Sequence, residues 1–296
     1  MDLFALAQQM IATNSVTTQG TRTLAEFLAR TVLPELDMTV SWQEGETAAD
    51  ANLIARKPGQ ADLPALLLTS HLDTVPPGDP TLWTKTHGDP FAPVIEGDRL
   101  YGLGSADAKL DWLAKAAAIA RFRGRSFIRP LLFVGTYGEE RGLVGARHLL
   151  ADPPCPIGSA FIGEPSELKL VHAHKGIVIC ALHLIGQVPA PRPGKIRTLQ
   201  IVGRSAHSST PARGENAILK ALEELRRAPH LMPLSLYGGD AVNKVPARCE
   251  ITLLEPDPLG SALYSPLDPA IVTALTASCE ASAGSKAHIA PMPPKE

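Results

Sequence analysis

The chain has 296 residues, enough at about 150 per domain for two domains. Its 28 Lys and Arg against 30 Asp and Glu leave a formal charge of −2, which excludes the basic footprint of a nucleic-acid or anionic-membrane binder. With 45% hydrophobic and 20% charged residues it is an ordinary folded protein, while 27 prolines and 24 glycines imply many loops.

Apolar residues recur at helical spacing over residues 3–11 and 24–32, the second preceded by Thr21 and Thr23 as candidate N-caps. The start, Met1-Asp2-Leu3-Phe4 with Gln8 and Gln9 following, lacks the basic and apolar regions of a secretory signal. No apolar run approaches the ~20 residues of a membrane span. Short apolar runs at 53–55 and 65–68 read as buried strands. Helix over 109–122, strand over 131–135, helix over 143–150 and strand over 160–163 then alternate, predicting an α/β layer with a largely parallel sheet. After Pro165, runs at 168–171, 176–184 and 196–202 read as successive strands, followed by a helix over 216–227 and a strand over 249–254. This smaller α+β module includes a Pro-rich stiff connection at 188–194. A last helix is predicted over 270–281, and the tail 290–296 has no packing pattern. Cys155, Cys180, Cys249 and Cys279 are widely spaced without a CxxC pair, which fits a reducing compartment, by default the cytoplasm.

Four predicted strand exits carry polar chemistry. In Ser70-His71-Leu72-Asp73-Thr74, His71 and Asp73 point the same way in extended backbone, as a surface pair or as a metal ligand with its orienting acid. The turn Tyr101-Gly102-Leu103-Gly104-Ser105-Ala106-Asp107 ends in a carboxylate that would repel a phosphate, leaving Asp107 as a helix N-cap or a ligand. Glu139 and Glu140 are adjacent carboxylates before a helix, held by its dipole or divided between ligand and base. Glu164 precedes Pro165 as a turn residue or a ligand. Converging at one crevice, His71, Asp107, Glu140 and Glu164 supply one imidazole and three carboxylates, a set suited to Zn²⁺, Co²⁺ or Mn²⁺ and better to two ions than to one. No G-x-S-x-G elbow supports a serine hydrolase, and the cysteines lie in apolar or proline-rich settings.

The order His71-x-Asp73-Thr74-Val75-Pro76, Asp89-Pro90-Phe91, Tyr101-Gly102-x-Gly104-x-x-Asp107-x-Lys109, Glu139-Glu140-x-Gly142-x-x-Gly145 and Gly163-Glu164-Pro165 resembles the M20 family of metallopeptidases. That family includes acetylornithine deacetylases, succinyl-diaminopimelate desuccinylases and glutamate-releasing carboxypeptidases. The resemblance continues through Gly203-Arg204-Ser205-Ala206-His207-Ser208-Ser209-x-Pro211 and Asn243-x-Val245-Pro246, covering roughly residues 1–255. It implies a zinc-peptidase-like α/β catalytic domain, with a mostly parallel mixed sheet flanked by helices, and an inserted α+β lid or dimerisation domain. The boundaries are 1–175 for the catalytic part, 176–256 for the lid, and 257–296 for a shortened return toward the catalytic domain. It further implies that His71 and Glu164 bind one metal, Asp107 bridges two, Glu140 binds the second, Glu139 is the general base and Asp73 assists. His207, supplied by the other subunit of a homodimer, and Asn243 touch the substrate. The expected activity is removal of an acyl group from an N-acyl amino acid, Gly163-Glu164-Pro165 and His174-Lys175-Gly176 being most like the acetylornithine deacetylase branch, with a dipeptidase or carboxypeptidase as the alternative.

Two departures stand out. Where many members carry Asp-Met-Lys-Gly-Gly, this chain has Asp107-Ala108-Lys109-Leu110-Asp111. The family also supplies a histidine ligand near its C-terminus, and His288 in Ala287-His288-Ile289 does not sit in the strand-to-helix context expected of it, which motivates a catalytically incomplete binding or interaction protein as a competing reading.

Overall fold

The computed structural model describes residues 1–173, 175–184, 187, 189–260 and 262–289. The chain divides into two compact units, Met1–Val171 and His172–Glu296.

The first unit opens with helices α1 (Leu3–Ala12) and α2 (Arg22–Thr31). Asp2 caps α1 by accepting from the amides of Phe4 and Ala5, whereas Thr21 precedes α2 without a capping bond and its hydroxyl turns to Ala51 O instead. Strands β1 (Thr39–Glu44), β2 (Ala51–Lys57) and β3 (Ala65–His71) follow, then a short hairpin of β4 (Val94–Glu96) and β5 (Arg99–Tyr101). Helix α3 (Lys109–Ala120), β6 (Leu131–Thr136), α4 (Val144–Ala151) and β7 (Ile157–Ile162) complete the unit. The main sheet is mixed, in the order β1-β2-β6-β3-β7, with β3 parallel to both β6 and β7 and the β1-β2 and β2-β6 pairs antiparallel.

Alternation along the central strands sends successive side chains to opposite faces, and both faces are covered. Leu53, Ala55, Leu131 and Phe133 meet Met10, Leu24, Leu28, Trp112 and Ala116 from α1, α2 and α3, while Ile54, Leu132 and Val134 meet Leu149 of α4. Trp112 stacks on Phe133 at 4.4 Å, anchoring α3 to the sheet by a contact worth about 1 kcal/mol beyond its buried area.

The second unit contains β8 (Arg192–Val202), α5 (Ala217–Arg227), β9 (Met232–Gly238), β10 (Arg248–Pro256), β11 (Leu263–Tyr264), α6 (Pro269–Ala281) and β12 (Ala287–Ile289). Its sheet runs β11-β8-β10-β9-β12, with every pair antiparallel. One face is apolar, where Leu236, Cys249, Ile251 and Leu253 pack against Ile218, Ala221 and Leu222 of α5 and Leu275 and Cys279 of α6.

Two expectations change. The runs 168–171 and 176–184 form no strand among the described residues; Leu168, Leu170, Val178 and Leu182 are exposed, and an apolar run becomes a strand only where another strand pairs with it. Among the described residues, 257–289 form no separate return segment: they supply β11, α6 and β12 to the second unit, where β12 pairs with β9 and α6 shares a core with α5. The unit therefore extends past the expected boundary at 256. Position 188 of the Pro-rich connection, His174 and the tail 290–296 lie outside the described residues. No helix among those described is long and apolar enough to cross a membrane.

Candidate metal centre

His71 closes β3, and its buried imidazole is fixed by the backbone that follows. Its Nδ1 lies 2.9 Å from the Asp73 carbonyl, which favours the tautomer that keeps a lone pair on Nε2. Nε2 in turn faces Asp107 Oδ1 at 2.9 Å. Asp107 is not the N-cap of α3: Ala108 holds that place, and the Asp107 carboxylate is turned to the imidazole.

The second carboxylate group rises from the turn after β6. Gly138 adopts a left-handed φ of 63° and leads into a 3-10 turn, Glu139–Arg141. The first amides of that turn point at the wholly buried Asp73, whose two oxygens accept from Glu139 N at 3.1 Å and Glu140 N at 3.2 Å. Asp73 thus orients both the histidine strand and the glutamate turn. Arg141 clamps the outer side of this turn through Asp50 at 3.0 Å. Buried Asn52 reaches Gly145 O at 2.8 Å and accepts from Tyr137 N at 3.3 Å. Glu164 follows the end of β7.

The ligand atoms of His71, Asp107 and Glu164 lie within 4.8 Å of one another, as do those of His71, Glu139 and Glu140. The donor set of one imidazole and clustered carboxylates matches the chemistry of Zn²⁺, Co²⁺ or Mn²⁺. Electrostatics agree with that fit. Burial, the neighbouring Glu139 and Asp107 push Glu140 up to about 7, and burial with Asp107 and Glu139 does the same to Glu164, against the opposing charge of His71. Glu139 is raised by burial first and by Asp73 and Asp107 after it. Burial opposes charge on His71, yet its bonds to Asp107 and Asp73 outweigh it and lift the imidazole to about 11. Burial also works against the Asp73 charge, but His71 and the Glu139 amide hold this carboxyl below its usual range. Protons substitute here for cationic charge.

His207 and Asn243 belong to the second unit. There Ser208 N donates to Asn243 O at 2.9 Å and Val245 N to Ala206 O at 2.8 Å, so the two segments lie side by side; the exposed His207 ring has Nδ1 2.8 Å from Ser209 Oγ. His288 is in β12, its ring edge-on to Tyr237 of β9 at 5.6 Å.

Sequence reasoning missed the supports: Asp50, Asn52 and Arg141 around the glutamate turn, and a network of buried Ser70 and Lys115 with half-buried Asp111 behind the histidine strand. Asp111 and Lys115 were legible only as an i, i+4 helix pair.

A family profile described as peptidase family M20/M25/M40 matches residues 67–295. The chain belongs to this family. Among M20 relatives, it is 34% identical over 276 residues to acetylornithine deacetylase of Photorhabdus laumondii, covering 83% of this chain and 65% of that one. It is 31% identical over 299 residues to acetylornithine deacetylase of Edwardsiella ictaluri, covering 92% and 72%. The chain thus spans about 65% of the first of these relatives. A solved M20 family metallo-carboxypeptidase, Sso-CP2 of Sulfolobus solfataricus, is 15% identical with a TM-score of 0.48, over 97% of this chain and 78% of that one.

Proposed function

We propose that this M20 chain is a metal-dependent amide hydrolase that removes the acyl group of an N-acyl amino acid. The observation that carries the reading is the gathering of His71, Asp107, Glu139, Glu140 and Glu164 at strand ends of one unit, as clustered carboxylates about one imidazole. We assign His71, Asp107 and Glu164 to one divalent ion, with Asp107 shared and Glu140 given to a second. Zinc is the first choice, with cobalt or manganese in its place. Such ions, when bound, lower the pKa of water toward about 7 and polarise a carbonyl.

The chain's own groups do the rest. Glu139, its proton affinity raised by burial, takes the proton of the attacking water and hands it to the leaving amine. Asp73 touches neither, but its carboxylate holds the Glu139 amide and its carbonyl holds the His71 imidazole in register. To His207 and Asn243 we assign the substrate contacts and the hydrogen bonds to the developing oxyanion, His207 serving the partner of a homodimer. The second unit is then the lid and dimerisation domain. Beyond Arg192 and Pro193, which pair with β11, the outer edge of β8 has no strand beside it among the described residues, and Ile196 and Val202 are exposed along it. Free cysteines fit a cytoplasmic setting.

The test is a panel of N-acetyl amino acids set against dipeptides, with Zn²⁺ or Co²⁺ added to metal-free protein. Hydrolysis of the acyl amino acids is the expected result, and cleavage of dipeptides alone would move the activity to the peptidase branch. Glu139→Gln should keep its metal and lose about 10²–10⁴-fold in kcat. An unchanged kcat would remove Glu139 from the base role.

A further inference from the structure

Behind the metal-centre residues, on the side of α3, lies a charged group that none of the assignments above uses. The Lys115 side chain is only 7% exposed, yet it carries an ammonium with three partners: Thr69 O at 2.6 Å, Ser70 Oγ at 3.2 Å and the Asp111 carboxylate. Ser70 Oγ also donates to the same Asp111 oxygen. All three ammonium hydrogens are therefore engaged. Thr69 O accepts a second bond, from Gly163 N at 2.8 Å, so one carbonyl ties the end of β3 to the end of β7.

Each partner sits beside a candidate ligand. Ser70 precedes His71, Gly163 precedes Glu164, and Asp111 lies in the first turn of the helix that Asp107 leads into. The packing around the pair is tight. A Cβ on Gly163 would fall 1.7 Å from Asp111 Oδ2 and 2.7 Å from Lys115 Nζ, so any side chain there would displace this pair from its present position. The Asp111 carboxylate stands where the resembled motif has glycine, close to the ligand cluster, but its inner oxygen is committed to Lys115 and Ser70.

We propose that Lys115, Asp111 and Ser70 form a positioning unit that sets the spacing of His71, Asp107 and Glu164 for a divalent cation. The proposal rests on the assignment of those three residues as one ion's ligands. The unit joins the three elements that carry them, and it keeps a fourth carboxylate from entering the coordination sphere. Lys115 is buried and Asp111 half-buried, so removing one member leaves the other charge without its partner, whereas removing both does not. That difference separates positioning from simple structural support.

The experiment measures Co²⁺ binding to the full metal-free chain by calorimetry and by the visible absorption band, alongside thermal melting. Lys115→Met should weaken Co²⁺ binding by about 10–100-fold and alter the band, as loss of a residue that orients metal ligands does. The double variant Asp111→Gly with Lys115→Met should recover thermal stability while its Co²⁺ affinity stays weakened. Ser70→Ala, which keeps the ion pair and the fold, should shift the band and weaken binding severalfold, and it serves if Lys115→Met does not fold. Wild-type affinity and spectrum in Ser70→Ala and the double variant would overturn the proposal, as would joint recovery of affinity and stability in the latter. A wild-type chain that binds no Co²⁺, or binds it equally after His71→Ala, would overturn the ligand assignment itself.

Discussion

Asp73 shows how much one buried carboxylate decides. It has no exposure, and it serves the His71 imidazole and two backbone amides of the glutamate turn at once. Asp73→Ala strands those donors, so unfolding in urea should show a loss of about 3–5 kcal/mol, with Asp73→Asn losing less because the amide oxygen still accepts. The thiols give a contrast in accessibility. Cys249 is buried and its thiol is pushed up to about 12, chiefly by that burial, while Cys180 is exposed. Alkylation of the native protein at neutral pH should therefore label Cys180 and leave Cys249 intact until denaturant is added, as peptide mapping would reveal.

The glutamate turn depends on a close approach of α4 to the sheet. A Cβ on Gly145 would lie 2.5 Å from both Asn52 Oδ1 and Tyr137 O, atoms that cannot swing away without moving β2 or the turn. Gly145→Ala should cost about 1–3 kcal/mol in urea unfolding and reduce hydrolysis more than substrate affinity, because Glu139 and Glu140 shift with the turn. Elements were legible from sequence in proportion to their apolar contrast. The strands around Leu53, Leu66 and Leu132 and the helix through Trp112 announced themselves because both faces of the sheet are covered. β1 did not, since Thr39-Val40-Ser41-Trp42-Gln43-Glu44 is a mostly exposed edge with little apolar signal. β9 was hidden by Pro233, a residue that argues against a strand; the register with β10 shifts between Thr252 and Leu253, just where Pro233 has no N–H to give. The opposite error at 176–184 has the same origin, because periodicity describes what a segment would do with a partner and not whether one exists. The candidate ligands stood out in the sequence because His71, Glu140 and Glu164 are polar residues at or just past the ends of apolar strands and Asp107 lies at the entry to α3. Their supports did not, since Asn52 and Lys115 are polar residues inside apolar elements, whose role exists only once three segments meet.

Across the whole molecule the clustered acids tie stability to pH. Glu140 and Glu164 rise from 4.5 to about 7 on folding without metal, so between these values the folded chain binds more protons than the unfolded one. Their contribution is whole below about 4.5 and is lost as pH climbs through about 7. The metal-free protein should accordingly show a falling urea midpoint from pH 5 to pH 7. Glu140→Gln should flatten that slope. Saturating Zn²⁺ should reverse it, because ion binding displaces the same protons and strengthens as pH rises.

The parallel pairing of β3 with β6 and β7 also bears on the order of folding events. His71, Asp107, Glu140 and Glu164 are far apart along the chain and meet only after crossovers through α3 and α4 have closed, the slow, non-local part of any folding pathway. An ion held by these residues is then a late clasp. It has nothing to grip in the transition state, so it should leave the refolding rate unchanged and slow unfolding in proportion to its binding. Stopped-flow unfolding with and without a chelator would register the clasp as a change in the lifetime of the native state alone.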